Sequence, residues 1–141
     1  MRQTRRLALL VTAPWPNQPQ DAAMHNDHLA MYAALRARGF TPDEVTSLDG
    51  VRNRPRLLAF LRDVGRRLAG WRAGGGNVFL FYSGHGVFTG DTVKTARPGL
   101  WLAPPAPERP GDDPGERLFW DEAFAALSLP ASVRLTLLPD C

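Results

Sequence analysis

Val78-Phe79-Leu80-Phe81-Tyr82-Ser83-Gly84-His85-Gly86 is an apolar run that stops at a histidine between two glycines. Five bulky residues without polar alternation read as a strand buried on both faces, the pattern of an inner strand in a parallel sheet. The strand expected here covers residues 78–82, with His85 at its carboxyl end. In open α/β sheets ligands and chemistry collect outside the carboxyl ends of the strands, and the two glycines leave room for another backbone to approach. A second apolar strand, Val133-Arg134-Leu135-Thr136-Leu137-Leu138, leads into Pro139-Asp140-Cys141. Imidazole and thiol at two strand ends suggest nucleophilic catalysis.

Working outward, Leu7-Ala8-Leu9-Leu10-Val11 is the first strand. The basic residues before it resemble the start of an export signal, but Pro14 and Pro16 cut the apolar run and no small-residue cleavage site follows. Residues 13–23 read as a polar, proline-rich loop. A helix is expected from Asn26 or Asp27 to Arg38, with Leu29, Met31, Tyr32, Ala34 and Leu35 on its apolar face and Gly39 as its stop. A short strand follows near residues 45–48. Pro55 suits a first helical turn, and Leu57, Leu61, Val64, Leu68 and Trp71 recur at helical spacing. Gly74-Gly75-Gly76 follows a helix and opens a strand, the reverse of a phosphate loop, so it is read as a turn. Residues 100–103 form another short strand, and residues 104–115 an irregular loop rich in proline, glycine and acid. Trp120, Phe124 and Leu127 mark a third helix. The alternation of strands and helices gives an α/β fold with a doubly wound, mostly parallel sheet and helices on both faces.

The chain has 141 residues, 44% of them hydrophobic, which suits one compact domain. Its net charge of +3 comes from arginine, Lys94 being the only lysine. The arginines scatter over Arg36, Arg52, Arg62, Arg72, Arg97 and Arg134 without forming a stripe, which argues against a nucleic-acid partner. No stretch approaches the ~20 apolar residues of a membrane span. A single cysteine excludes a disulfide framework and a cysteine-based zinc cluster, and suits a reducing, cytoplasmic setting.

With these residues in place the chain resembles the caspase-like cysteine peptidases of the C14 type, closest to the metacaspases and their bacterial relatives. The matching pieces are the opening strand, His25-Asn26-Asp27, Gly39-Phe40, Tyr82-Ser83-Gly84-His85-Gly86 and Leu137-Leu138-Pro139-Asp140-Cys141. They span nearly the whole chain in the family's order. The resemblance implies a three-layer αβα caspase-like fold, incomplete on its C-terminal side, of which residues 1–141 form the large-subunit-like region. It implies a cysteine endopeptidase working on protein or peptide substrates through a Cys-His dyad. His85 is then the partner of the thiol, and Gly86 offers its backbone N–H to the developing oxyanion. It also implies cleavage after arginine or lysine, with Asp27, Ser83 and Asp140 at the positions of an acidic substrate pocket. The bland reading of Asp27 and Asp140 is that each caps a helix or turn.

Cys141 stands one residue after Asp140, whereas metacaspase-like sequences place the nucleophile two residues after the strand-end aspartate. Either Asp140 is the pocket aspartate and the nucleophile is the residue after Cys141, or Cys141 is the nucleophile and the aspartate is displaced. On both readings the chain is expected to be a fragment, or a large subunit awaiting a small-subunit-like part, inactive alone and exposing the apolar edge of its last strand. Some metacaspases are activated by calcium. Asp121 and Glu122 fall near such a position, but Trp120 replaces one of the paired aspartates and Asp112 and Asp113 read as a solvated loop pair, so no cofactor is expected. A catalytically silent caspase-like binding or regulatory module is the alternative; a small-molecule domain sharing only the fold is a third.

Overall fold

The computed structural model describes residues 4–16, 20–105 and 115–141. In chain order the elements are β1 Arg6–Ala13, α1 Gln20–Ala37, a 3-10 turn at Pro42–Glu44, β2 Val45–Leu48, α2 Arg54–Ala69, β3 Gly76–Thr89, β4 Arg97–Ala103, β5 Glu116–Phe119, α3 Trp120–Leu127 and β6 Val133–Asp140. β2, β1, β3 and β6 lie side by side in that order, all parallel. The segment 104–115 read as an irregular loop lies mostly outside the described residues, as do Asp112 and Asp113.

Parallel strands need cover on both faces, and the side chains divide accordingly. Leu7, Leu9 and Val11 of β1 join Val78, Leu80 and Tyr82 of β3 in a core closed by Leu57, Leu61, Val64 and Leu68 of α2 and Ala123 and Leu127 of α3. Ala8, Leu10 and Phe81 point the other way, onto Leu35 of α1. The molecule is therefore an α/β protein with a helix on one face of a mostly parallel sheet and two on the other. α2 follows its sequence closely: Asn53 caps it by accepting from the Arg56 N–H, and the expected stripe of leucines and valine is buried. Phe124 is not part of the α3 core. It is 41% exposed and stacks on the buried Trp120 instead.

Several elements differ from the sequence reading, β4 beginning earlier at Arg97 and β6 running on to Asp140 among them. β3 does not end at Tyr82 but runs on to Thr89. Its first half is held between β1 and β6, and from His85 onward it pairs antiparallel with β4, which in turn pairs with β5. The cause is a change of environment rather than a break: burial is continuous to Gly84 and then alternates, as in a strand covered on one side. β5 is too short to register as a strand in the sequence. α1 begins at Gln20, not at Asn26 or Asp27, so Asp27 lies inside a helix and is not its cap.

At its far end α1 stops as expected, with Gly39 in the left-handed region at φ 93°. Gly74 and Gly75 also have positive φ, and a Cβ on Gly76 would sit 2.6 Å from the Trp71 ring. Gly74 and Gly75 make the turn, packed against Arg5 and the Ser132 carbonyl, and Gly76 opens β3 under that indole.

Candidate active site

The parallel register fixes which side chains meet at the carboxyl ends of β3 and β6. Ser83 pairs with Asp140, one step beyond Tyr82 and Pro139, and both lie on the face covered by α1. From α1, Asp27 reaches the same place: the Ser83 hydroxyl donates to its Oδ2 over a long 3.4 Å. Asp27 and Asp140 line an open pocket of about 270 Å³ whose other walls are Ala30, Met31, Ala34 and Phe81. Two carboxylates at one end of an apolar trough suit a ligand with an aliphatic stem and a cationic head. A larger depression of about 580 Å³ between β2 and α2 is lined by Thr46, Ser47, Leu48, Pro55, Arg56, Ala59, Phe60 and Asp63, and carries no histidine or cysteine.

His85 and Gly86 open the antiparallel half of β3, opposite Trp101 and Leu100. Gly86 lies against Cys141, since a Cβ built on it would stand 3.1 Å from the Cys141 Cβ and 3.4 Å from its Sγ. The glycine is thus what leaves space for the cysteine side chain. Gly84 leaves space of a different kind. A Cβ there would fall 2.4 Å from the Tyr82 hydroxyl, which folds across Gly84 to donate to the His85 carbonyl at 2.8 Å. The room beside Gly84 is taken by the Tyr82 hydroxyl and the ring carbon that bears it, 2.7 Å away, with the Ala13 carbonyl oxygen behind them at 3.1 Å.

Partial burial, and secondarily the negative charge of Asp140, push the Cys141 thiol above its ordinary range. A thiol so placed stays protonated at neutral pH and becomes a nucleophile only when a base removes its proton. The Tyr82 hydroxyl is raised further, by burial first and by Cys141 second, so it serves as a neutral donor to the backbone.

Sequence reasoning misses two groups beside these residues. Trp15, from the segment after β1, lays its indole on the His85 imidazole with ring centroids 4.0 Å apart and planes inclined at 32°. The only sequence signal is a large aromatic in Pro14-Trp15-Pro16. Near the start of α1, Asp49 after β2 accepts a hydrogen bond from the buried Thr12 hydroxyl and lies 2.7 Å from His25 Nδ1. Burial raises the Asp49 carboxyl, but the hydrogen bonds from Thr12 and His25 outweigh it and hold the group below the usual carboxylate range. This cluster ties α1 to the ends of β1 and β2.

Asp121 and Glu122 are engaged by cations of the chain itself: Arg97 pairs with both, and Arg54 pairs with Glu122. Among the described residues no group of three or more His, Cys, Asp or Glu is arranged to hold a metal ion, and no helix is long and apolar enough to cross a membrane. No protein-family model matches the chain, and no curated protein matches it.

Proposed function

We propose that this chain carries the dyad and substrate pocket of a cysteine endopeptidase of the caspase and metacaspase type, cleaving peptide bonds after arginine or lysine. The observation that carries the proposal is the meeting of Asp27, Ser83 and Asp140, from α1, β3 and β6, beside the β3 segment that bears His85 and Gly86. A basic side chain extends along Ala30, Met31 and Phe81 and ends between the two carboxylates. An acidic side chain there meets like charge from both exposed carboxylates and is disfavoured.

The nucleophile is a thiol at the carboxyl end of β6, where Cys141 stands. His85 takes its proton as the sulfur attacks the scissile carbonyl carbon, so the base acts during attack rather than through a preformed ion pair. The oxyanion that forms on the carbonyl oxygen is met by the backbone N–H of Gly86. As the C–N bond breaks, the imidazolium returns its proton to the leaving amine. Water then attacks the thioester, and its proton passes by way of His85 back to the sulfur as the free acid leaves.

The experiment is hydrolysis of a fluorogenic arginine peptide by the chain supplied with a small-subunit-like part, because residues 1–141 alone are expected to be inactive. His85→Ala should lower kcat by about 10²-fold or more, and Asp27→Ala should lower kcat/KM for arginine while leaving the melting temperature nearly unchanged. Cleavage only after aspartate overturns the assignment of the pocket.

The His85 Nε2, which has no hydrogen-bond partner among the described residues, favours one second reading, a module that binds a basic peptide without cutting it. Calorimetric titration with the same peptide separates the two: binding that depends on Asp27, with no turnover at any pH, is the signature of the silent module.

A further inference from the structure

We infer that Trp15 is a positioning residue that holds the imidazole of His85 in its working orientation; the inference rests on the reading of His85 as the base. In a nucleophile and base pair a third group normally orients the base through a hydrogen bond. His85 has no such partner at Nε2, which is buried and unbonded among the described residues. What meets the ring instead is the Trp15 indole, 4.0 Å away.

The indole is itself fixed at several points. Its Nε1–H donates to the Trp101 carbonyl at 2.9 Å, and its ring stands edge-on to the Trp101 ring at 5.2 Å and 85°. Trp101 is the cross-strand partner of His85. Strand pairing, the Trp15 hydrogen bond and the ring stack therefore close a circuit that begins and ends at His85. The backbone of Trp15 is restrained as well, since Pro14 and Pro16 flank it and a residue before proline is confined to extended conformations. A tryptophan needed only to cover the β3 and β4 ribbon requires neither the proline pair nor a hydrogen bond to the histidine's own strand partner.

Planarity is the property that matters, and the variants are chosen for it. With the small-subunit-like part supplied, Trp15→Phe, which keeps a flat ring but loses the Nε1–H bond to Trp101, should lower kcat for the arginine peptide by less than Trp15→Leu does. Trp15→Leu should lower kcat by about 10- to 100-fold with KM little changed, as expected when a reacting group is held about an ångström off line. Independently of turnover, the His85 ring protons should lie upfield in NMR spectra of the wild type, under the indole, and move downfield in Trp15→Leu. If Trp15→Leu does not fold, Trp15→Met carries the same comparison. Wild-type kcat in the leucine or methionine variant, or His85 ring protons that do not move, overturns the inference. Loss of activity in His85→Ala with no effect at Trp15 removes this inference alone; activity retained in His85→Ala removes the peptidase reading and this inference with it.

Discussion

Tyr82 shows how one hydroxyl dictates its neighbours. Fully buried, it needs an acceptor, finds one in the His85 carbonyl, and in reaching it crosses the space where residue 84 would carry a Cβ. Gly84→Ala should therefore destabilise the fold by about 1–3 kcal/mol, the usual cost of forcing atoms into a packed site, read from the urea midpoint. Tyr82→Phe on that background removes the closest contact and should restore part of the loss; a double variant as unstable as the sum of the singles contradicts this account. Gly86→Ala should cost less stability, because the atoms its Cβ meets belong to the Cys141 side chain, which is exposed and can turn away. The Ser83-Gly84-His85-Gly86 motif is plain in the sequence, but the cause of its first glycine is not. A hydroxyl three residues from the carbonyl it serves leaves no trace in composition or periodicity. Trp15 and Asp49 are illegible for the same reason, since each meets its partner only once β1, β2 and β3 are side by side.

Among the elements, α2 and α3 approach more closely than their leucine stripes alone suggest, and Gly65 is the reason. A Cβ on it would lie 2.5 Å from the Leu127 carbonyl oxygen at the end of α3. Alanine is favoured over glycine inside a helix by about 1 kcal/mol. Here the overlap with backbone costs more, about 1–3 kcal/mol, so Gly65→Ala should lower the melting temperature, and a rise contradicts the close packing. The helix pattern of α2 is fully legible because one face meets one core, whereas β3 changes surroundings midway and its two halves read as different things. Residues 78–82 form an apolar run and burial is unbroken from Leu80 to Gly84; residues 85–89 alternate, and their strand character lies only in Val87, Phe88 and Thr89. The start of α1 is hidden in another way. The prolines ahead of it suggest a long loop, and Asn26 and Asp27 imitate a cap, yet the helix is already well under way at Asp27. Its position inside the helix lets Asp27 overlook the end of β6 instead of capping α1.

For the molecule as a whole, acid stability follows from where its carboxylates lie. Asp49, Glu44, Asp121 and Glu122 are all held below their ordinary range. For Glu44 the Thr41 backbone N–H leads and Arg6 follows, Arg97 dominates at Asp121, and Arg54 at Glu122. Each binds its proton more weakly folded than unfolded, so each contributes stability above the unfolded pKa, about 3.9 for Asp and 4.3 for Glu, and loses it as pH falls through the lower folded value. The exposed pairs, Asp121 with Arg97 above all, contribute little at physiological salt. Asp49 is the exception, because the Thr12 hydroxyl it accepts from is fully buried and its link to His25 fastens α1 over the sheet. The melting temperature should therefore be insensitive to these groups between pH 7 and 5, and fall below about pH 4. Asp49→Asn should melt lower than the wild type at pH 6, and the two curves should converge as the pH falls through the lowered folded value of Asp49 and the wild-type carboxyl takes up its proton. A gap that persists unchanged to the acid limit of folding shows that the asparagine disturbs packing rather than charge. Convergence accompanied by earlier loss of binding to the arginine peptide is the expected result, since the clasp that Asp49 makes with His25 is two residues along α1 from Asp27.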